Sequence, residues 1–224
     1  MSGDLLRDEA FWKLVQALDA SNTLSHVMII GTWAEWLYTD YFAKLSEGKK
    51  FRVDIGKTHD IDVYFRNHLM EIEGGDRLKD FLREAGFIPG SDYKGTFFMG
   101  GIEVEFLAGT TGVGPGIVET PSVGIKAERL EELSILEPTW IEKHGYRICI
   151  PTPASYIAQK LFINPMRKPE RKRSQDIRKV GVLLNAMADV PGQMDELVNL
   201  LSNLPKYKRE QIHKVALENG LSLP

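Results

Sequence analysis

From Thr152 to its end the chain carries helix-period patterns only, whereas before Pro151 short apolar runs of strand length alternate with helical stretches. That single change limits the fold to a mixed α+β part followed by an all-helical part. In the first part, Leu5 to Ala20 has the spacing of an amphipathic helix and stops at Ser21-Asn22. His26 to Ile30 reads as a buried strand that ends at Gly31-Thr32, and Trp33 to Leu45 reads as a largely buried helix. Thr58 to Phe65 alternates polar and apolar residues as a strand does. Arg77 to Ala85, with Gly86 behind it, predicts a helix and its glycine stop. Phe87-Ile88, Gly95 to Met99 and Ile102 to Leu107 predict strands around turns at Pro89-Gly90 and Gly100-Gly101. Thr110 to Gly116 is a glycine-rich loop lacking the lysine of a Walker motif, and Tyr146 to Ile150 is a strand closed by Pro151. Helices are expected over Pro153 to Ile163, Glu170 to Ala188, Met194 to Leu201 and Lys206 to Asn219. The expected division is an α/β domain over 1–150 and a helical domain over 151–224.

Of the 224 residues, 43% are hydrophobic and 26% charged, enough apolar surface for a real core and too much for a disordered chain. No apolar stretch is long enough for a bilayer, and Met1 to Glu9 is too charged for a secretory signal, so neither membrane insertion nor export is expected. One cysteine, Cys149, rules out an intramolecular disulfide and a cysteine metal cage, which makes the cytoplasm the expected compartment. The net charge of −3 is unevenly spread: the window from Lys160 to Val180 carries +6 and the remainder −9. Such a belt suits a polyanion at one place, although a solvated helix face has the same composition.

The chemistry-bearing residues lie in the first part. On a strand, Asp60 and Asp62 point to one side, about 7 Å apart along the chain. Two such carboxylates favour a neutralising cation, and Mg²⁺ takes hard oxygen ligands together with substrate phosphates. Asp-x-Asp alone describes many surface strands, but its setting here is more specific. Upstream, Gly31-Thr32 joins a strand to a helix, where backbone amides and the Thr32 hydroxyl can meet a phosphate. Downstream, Glu103 and Glu105 share a face of another strand. His59 alternates away from the aspartates, and Trp33, Trp36 and Tyr38 have the spacing of core residues.

Gly31-Thr32-Trp33-Ala34, Lys57-Thr58-His59-Asp60-Ile61-Asp62-Val63 and Val104-Glu105-Phe106-Leu107, in this order, resemble the nucleotidyltransferase superfamily related to DNA polymerase β. They are most similar to the small bacterial branch that includes the abortive-infection type IV toxin-like enzymes. Pro153 to Leu161 and Arg171 to Ile177 resemble that branch's helical segment, so the likeness spans residues 26 to 185. It implies an α+β fold with a mixed-sheet nucleotidyltransferase core and a C-terminal helical domain. It also implies transfer of NMP from an NTP, with pyrophosphate released and two Mg²⁺ ions, Asp60 and Asp62 binding catalytic Mg²⁺ and Glu105 completing a second metal site or activating the attacking hydroxyl. Gly31 and Thr32 would hold the β and γ phosphates, Lys57 and Thr58 would orient phosphate or Asp60, and Lys160 would pair with the triphosphate.

Asp176 has a weaker claim on the nucleotide, because Lys172 and Lys179 at i−4 and i+3 would explain it as part of a helix salt-bridge network. The basic belt favours an RNA acceptor such as the end of a tRNA, and the branch resemblance implies a toxin with an antitoxin partner. Against the superfamily pattern, Thr32 replaces the usual Ser or Gly, the interval from Gly31 to Asp60 is long, and Glu stands where many members carry Asp. Glu103 competes with Glu105 for that third place. Two other classes use the same residues: a catalytically silent nucleotide-binding regulatory module, and a metal-dependent phosphoesterase or nuclease.

Overall fold

The structure is a computed structural model that describes residues 2–46, 58–91, 95–109 and 116–224. Helix α1 (Ser2–Ala20) leads into strand β1 (Val27–Ile30), and helix α2 (Gly31–Leu45) follows with no intervening loop. Gly31 makes that junction at φ 66°, a left-handed conformation that glycine adopts without a Cβ penalty. Next come β2 (Asp60–Phe65), α3 (Leu78–Glu84), β3 (Ile88–Pro89), β4 (Phe97–Met99), β5 (Ile102–Gly109), β6 (Gly116–Thr120) and β7 (Ile125–Leu130). Strands β8 (Pro138–Lys143) and β9 (Tyr146–Pro151) form a separate hairpin. Its two-residue turn, His144 at φ 51° and Gly145 at φ 83°, has the positive angles that match strand twist. Helices α4 (Pro153–Ile163), α5 (Glu170–Ala188), α6 (Gln193–Asn203) and α7 (Lys206–Glu218) complete the chain. The fold is therefore α+β, a mixed sheet with C-terminal helices.

Two compact units make up the chain. One holds the described residues within Met1–Leu37, Asp54–Ser134 and Pro138–Ile150; the other holds those within Tyr38–Val53, Ile135–Glu137 and Pro151–Pro224. In the first, β1 to β7 form one sheet. Its order runs β1-β2-β5, after which β4 and β3 flank the start of β5 and β7 and β6 flank its end. Strands β2, β5 and β7 are parallel, while β1, β4, β3 and β6 join antiparallel. Ile61, Val63, Phe65, Val104, Phe106 and Ala108 alternate onto one side of β2 and β5 and are fully or almost fully buried. There Phe106 stacks on Phe65 with ring centroids 5.8 Å apart and meets Phe97 edge-on at 5.9 Å. Trp33 is also core, stacked on Phe11 at 4.3 Å.

In the second unit, α4 is buried along its whole length. Thr152 caps its first turn by accepting the Ser155 N–H at 3.2 Å, and Pro153 occupies the first helical position, where no N–H is needed. Tyr38 is buried against this helix, donating its hydroxyl to the Pro151 carbonyl at 2.9 Å and meeting the Tyr156 ring edge-on at 5.8 Å. No helix among the described residues is long and apolar enough to cross a membrane.

Candidate active site

The parallel register between β2 and β5 sets Asp60 across from Glu103 and Asp62 across from Glu105. Paired residues of neighbouring strands share a face, so four carboxylates form a two-by-two array with strand spacing of about 4.8 Å. The array exists because the apolar partners Ile61, Val63, Val104 and Phe106 must face the core, and alternation sends the acids the other way. Thr58 and Asp60 close a local turn in which the Asp60 N–H points to the Thr58 hydroxyl at 3.3 Å, and the Glu103 N–H donates to the His59 carbonyl at 2.7 Å. His59 thus supports the ladder through its backbone. Lys57 lies outside the described residues.

Gly31 closes one side of the array. In the ladder between β1 and β2, Ile30 pairs with Asp62, so the next residue in the chain arrives at the Asp62 side chain. A Cβ placed on Gly31 would collide with the Asp62 carboxylate. Thr32 follows as the second residue of α2, half-buried, at the helix end where amides lack intrahelical partners. On the other side of the array, the row from Asp60 through Glu103 continues to Phe98 on β4 and Ile88 on β3. Phe98 is 39% exposed and Ile88 69%, which makes an open apolar step beside the acids.

The Glu105 carboxyl is strongly perturbed. Burial, reinforced by the charges of Asp62, Glu103, Asp60 and Glu128, pushes its carboxyl up to about 7. Such excess negative charge suits a cation, and the donors are all hard oxygens. Among the described residues, no three His, Cys, Asp or Glu side chains close to the spacing that holds a metal ion. The acids are gathered on one face, without a finished cage.

Lys160 and Asp176 belong to the second unit. Asp176 on α5 is paired with Lys160 on α4, its Oδ1 3.5 Å from the ammonium, and both side chains are only 9% exposed. Arg167 Nε lies 3.2 Å from Asp176 Oδ2 as an ion pair without hydrogen-bond alignment. Asp176 is therefore held by a neighbouring helix and the segment after it, a pairing that the expectation of Lys172 and Lys179 as its partners did not contain. Lys160 also leaves the exposed belt, which retains Lys168, Arg171, Lys172, Arg173 and Arg178.

A family model described as Nucleotidyltransferase matches residues 9–196, and the chain belongs to this family. Comparison with curated proteins gives no match. Among solved structures it is similar to an antigenic nucleotidyltransferase-like protein from Paracoccidioides brasiliensis, at 16% identity over 92% of this chain and 84% of that one, with a TM-score of 0.45.

Proposed function

We propose that the chain transfers a nucleoside monophosphate from an NTP to an acceptor in an Mg²⁺-dependent reaction, and that the acceptor is RNA such as a tRNA end. The observation that carries this reading is the β2–β5 register, which gives Asp60, Asp62 and Glu105 a common face next to the Gly31-Thr32 turn. Asp60, Asp62 and Glu105 would hold the ions, whose chemistry is Lewis-acid stabilisation of the attacking and leaving oxygens. Gly31 and Thr32 would bind the β and γ phosphates with helix-start amides and a hydroxyl. In the transfer, the acceptor hydroxyl loses its proton as its oxygen bonds to the α-phosphorus. The bond from that phosphorus to pyrophosphate then breaks. Glu105 would either complete the ion site or take that proton. Phe98 and Ile88 support a nucleic acid acceptor, because an exposed apolar step beside the carboxylates suits the flat face of a base.

The experiment is incubation with Mg²⁺, each α-labelled NTP in turn, and total cellular RNA and protein, with Asp60→Asn as control. Label in RNA and pyrophosphate release, both lost in the variant, support the reading; label in protein moves the acceptor. Bound NTP without turnover favours the silent module, and RNA cleaved without NTP favours the nuclease. Growth arrest on expression, absent for Asp60→Asn, would extend the reading to a toxin restrained by an antitoxin.

A further inference from the structure

We infer that Arg66, Trp140 and Arg147 form a docking surface for a single-stranded stretch of RNA, separate from the carboxylate array. The three residues are far apart in sequence and meet within the first unit. Arg66 follows the last residue of β2, while Trp140 lies on β8 and Arg147 on the adjoining β9. The guanidinium carbon of Arg147 is 4.7 Å from the Trp140 ring centroid and that of Arg66 is 5.3 Å, so one indole is contacted by two cations. Both arginines are exposed and Trp140 is half-buried.

Two guanidiniums gathered on one ring repel each other, and among the described residues neither has a carboxylate within ion-pair distance. Arg66 donates instead to the Ser25 carbonyl at 2.6 Å, which fixes the side chain without neutralising it. The combined field reaches the protein beneath: both arginines oppose the upward shift of the buried Cys149 thiol, and Arg66 adds to burial in lowering His26. The surface thus offers concentrated, uncompensated positive charge, in a chain whose net charge is −3, together with flat π surfaces.

That combination selects the occupant. A phosphate chain supplies the missing negative charge, and bases stack both on indole rings and on guanidinium planes. An acidic peptide would satisfy the charge and leave the ring without a matching partner. Arg66 lies six residues beyond Asp60 along β2, about 20 Å at strand rise. The surface therefore serves the body of an RNA, not its reacting end. This inference rests on the RNA-acceptor part of the proposed function and names where that acceptor is gripped.

The test uses the full chain and a short labelled oligoadenylate RNA, with polyglutamate as the base-free polyanion, followed by fluorescence anisotropy over a salt series. Wild type should bind the RNA. Arg147→Gln and Arg66→Gln should each lower the slope of log Kd against log salt by about one. Trp140→Ala should weaken binding roughly tenfold or more, and Trp140→Phe should retain most of it, with unchanged melting curves for Arg147→Gln and Trp140→Phe as the folding control. RNA binding that is equal in wild type, Arg147→Gln and Trp140→Ala would overturn this surface while leaving an RNA acceptor intact. Equal or tighter binding of polyglutamate would overturn it in favour of an acidic protein partner. No RNA binding by wild type would overturn both the surface and the RNA-acceptor reading; NMP transfer to another acceptor, lost in Asp60→Asn, would still stand.

Discussion

Gly31 sits against the Asp62 carboxylate so closely that no side chain fits between them. The contact joins two parts of the site that are 31 positions apart in sequence, the helix-start turn and the acidic strand. It also explains the glycine twice over, because φ is 66° there.

Gly31→Ala should therefore harm both stability and function. The left-handed backbone alone costs about 1–2 kcal/mol for a residue with a Cβ, and the displaced Asp62 would lower Mg²⁺-supported transfer beyond what that destabilisation explains. Thermal melts and transfer rates on the same preparation check this. A variant that melts lower yet transfers normally would detach Gly31 from the site.

Asp60→Asn and Asp62→Asn should each abolish transfer without unfolding the chain. Lewis-acid stabilisation is worth several kcal/mol, so the rate should fall by about a thousandfold or more. Melting temperature should hold or rise slightly, since each change removes one like charge from the array. Loss of the fold in both variants would make the pair structural.

Glu105 should contribute a loss of stability as pH rises. Its carboxyl is raised to about 7 in the folded chain from an ordinary 4.5, so the folded state binds the proton more tightly than the unfolded state does. This contribution is fully present below about 4.5 and is lost as pH rises through about 7. Glu105→Gln should flatten the fall in melting temperature between pH 5 and pH 8, and added Mg²⁺ should flatten it in wild type. An unchanged slope in Glu105→Gln would assign the dependence elsewhere.

Lys160→Met and Asp176→Asn each remove one side of a buried ion pair. Because Arg167 still faces Asp176 in Lys160→Met, that variant should lose less than the about 3–5 kcal/mol that breaking a buried pair costs. Asp176→Asn, which breaks both pairs, should lose more than Lys160→Met. Replacing both with apolar residues should cost less than the two single losses together. Comparing NTP affinity with melting temperature in Lys160→Ala separates the two roles: weaker binding in a well-folded variant supports the phosphate contact, and lost stability with normal affinity leaves only the ion pair.

The acidic strands were legible because alternation and a strand-length run of apolar partners fix the face of each carboxylate. Sequence left Glu103 and Glu105 as rivals; pairing shows why, since Glu103 has Asp60 opposite and Glu105 has Asp62. Strands β6, β7 and β8 gave no clear signal. β6 and β8 mix Glu119 and Glu142 with short apolar stretches, and the alternation in β7 is confined to Ile125-Lys126-Ala127-Glu128 before Arg129 ends it, too short to stand out. The Asp176 partners were hidden for another reason. Helix spacing reveals neighbours three and four residues away, whereas Lys160 reaches Asp176 from a different helix. The meeting of Arg66 with Trp140 is longer-range still and depends on how the hairpin packs.

The two-by-two array has a consequence for how this chain can fail. Slipping β2 by one residue against β5 would turn Asp60 and Asp62 into the core and expel Ile61 and Val63 to solvent. Because the same alternation both packs the sheet and assembles the acids, no misregistered form can be well packed and merely inactive. A one-residue insertion within β2 would remove fold and chemistry together, while loops away from this face are free to vary in length.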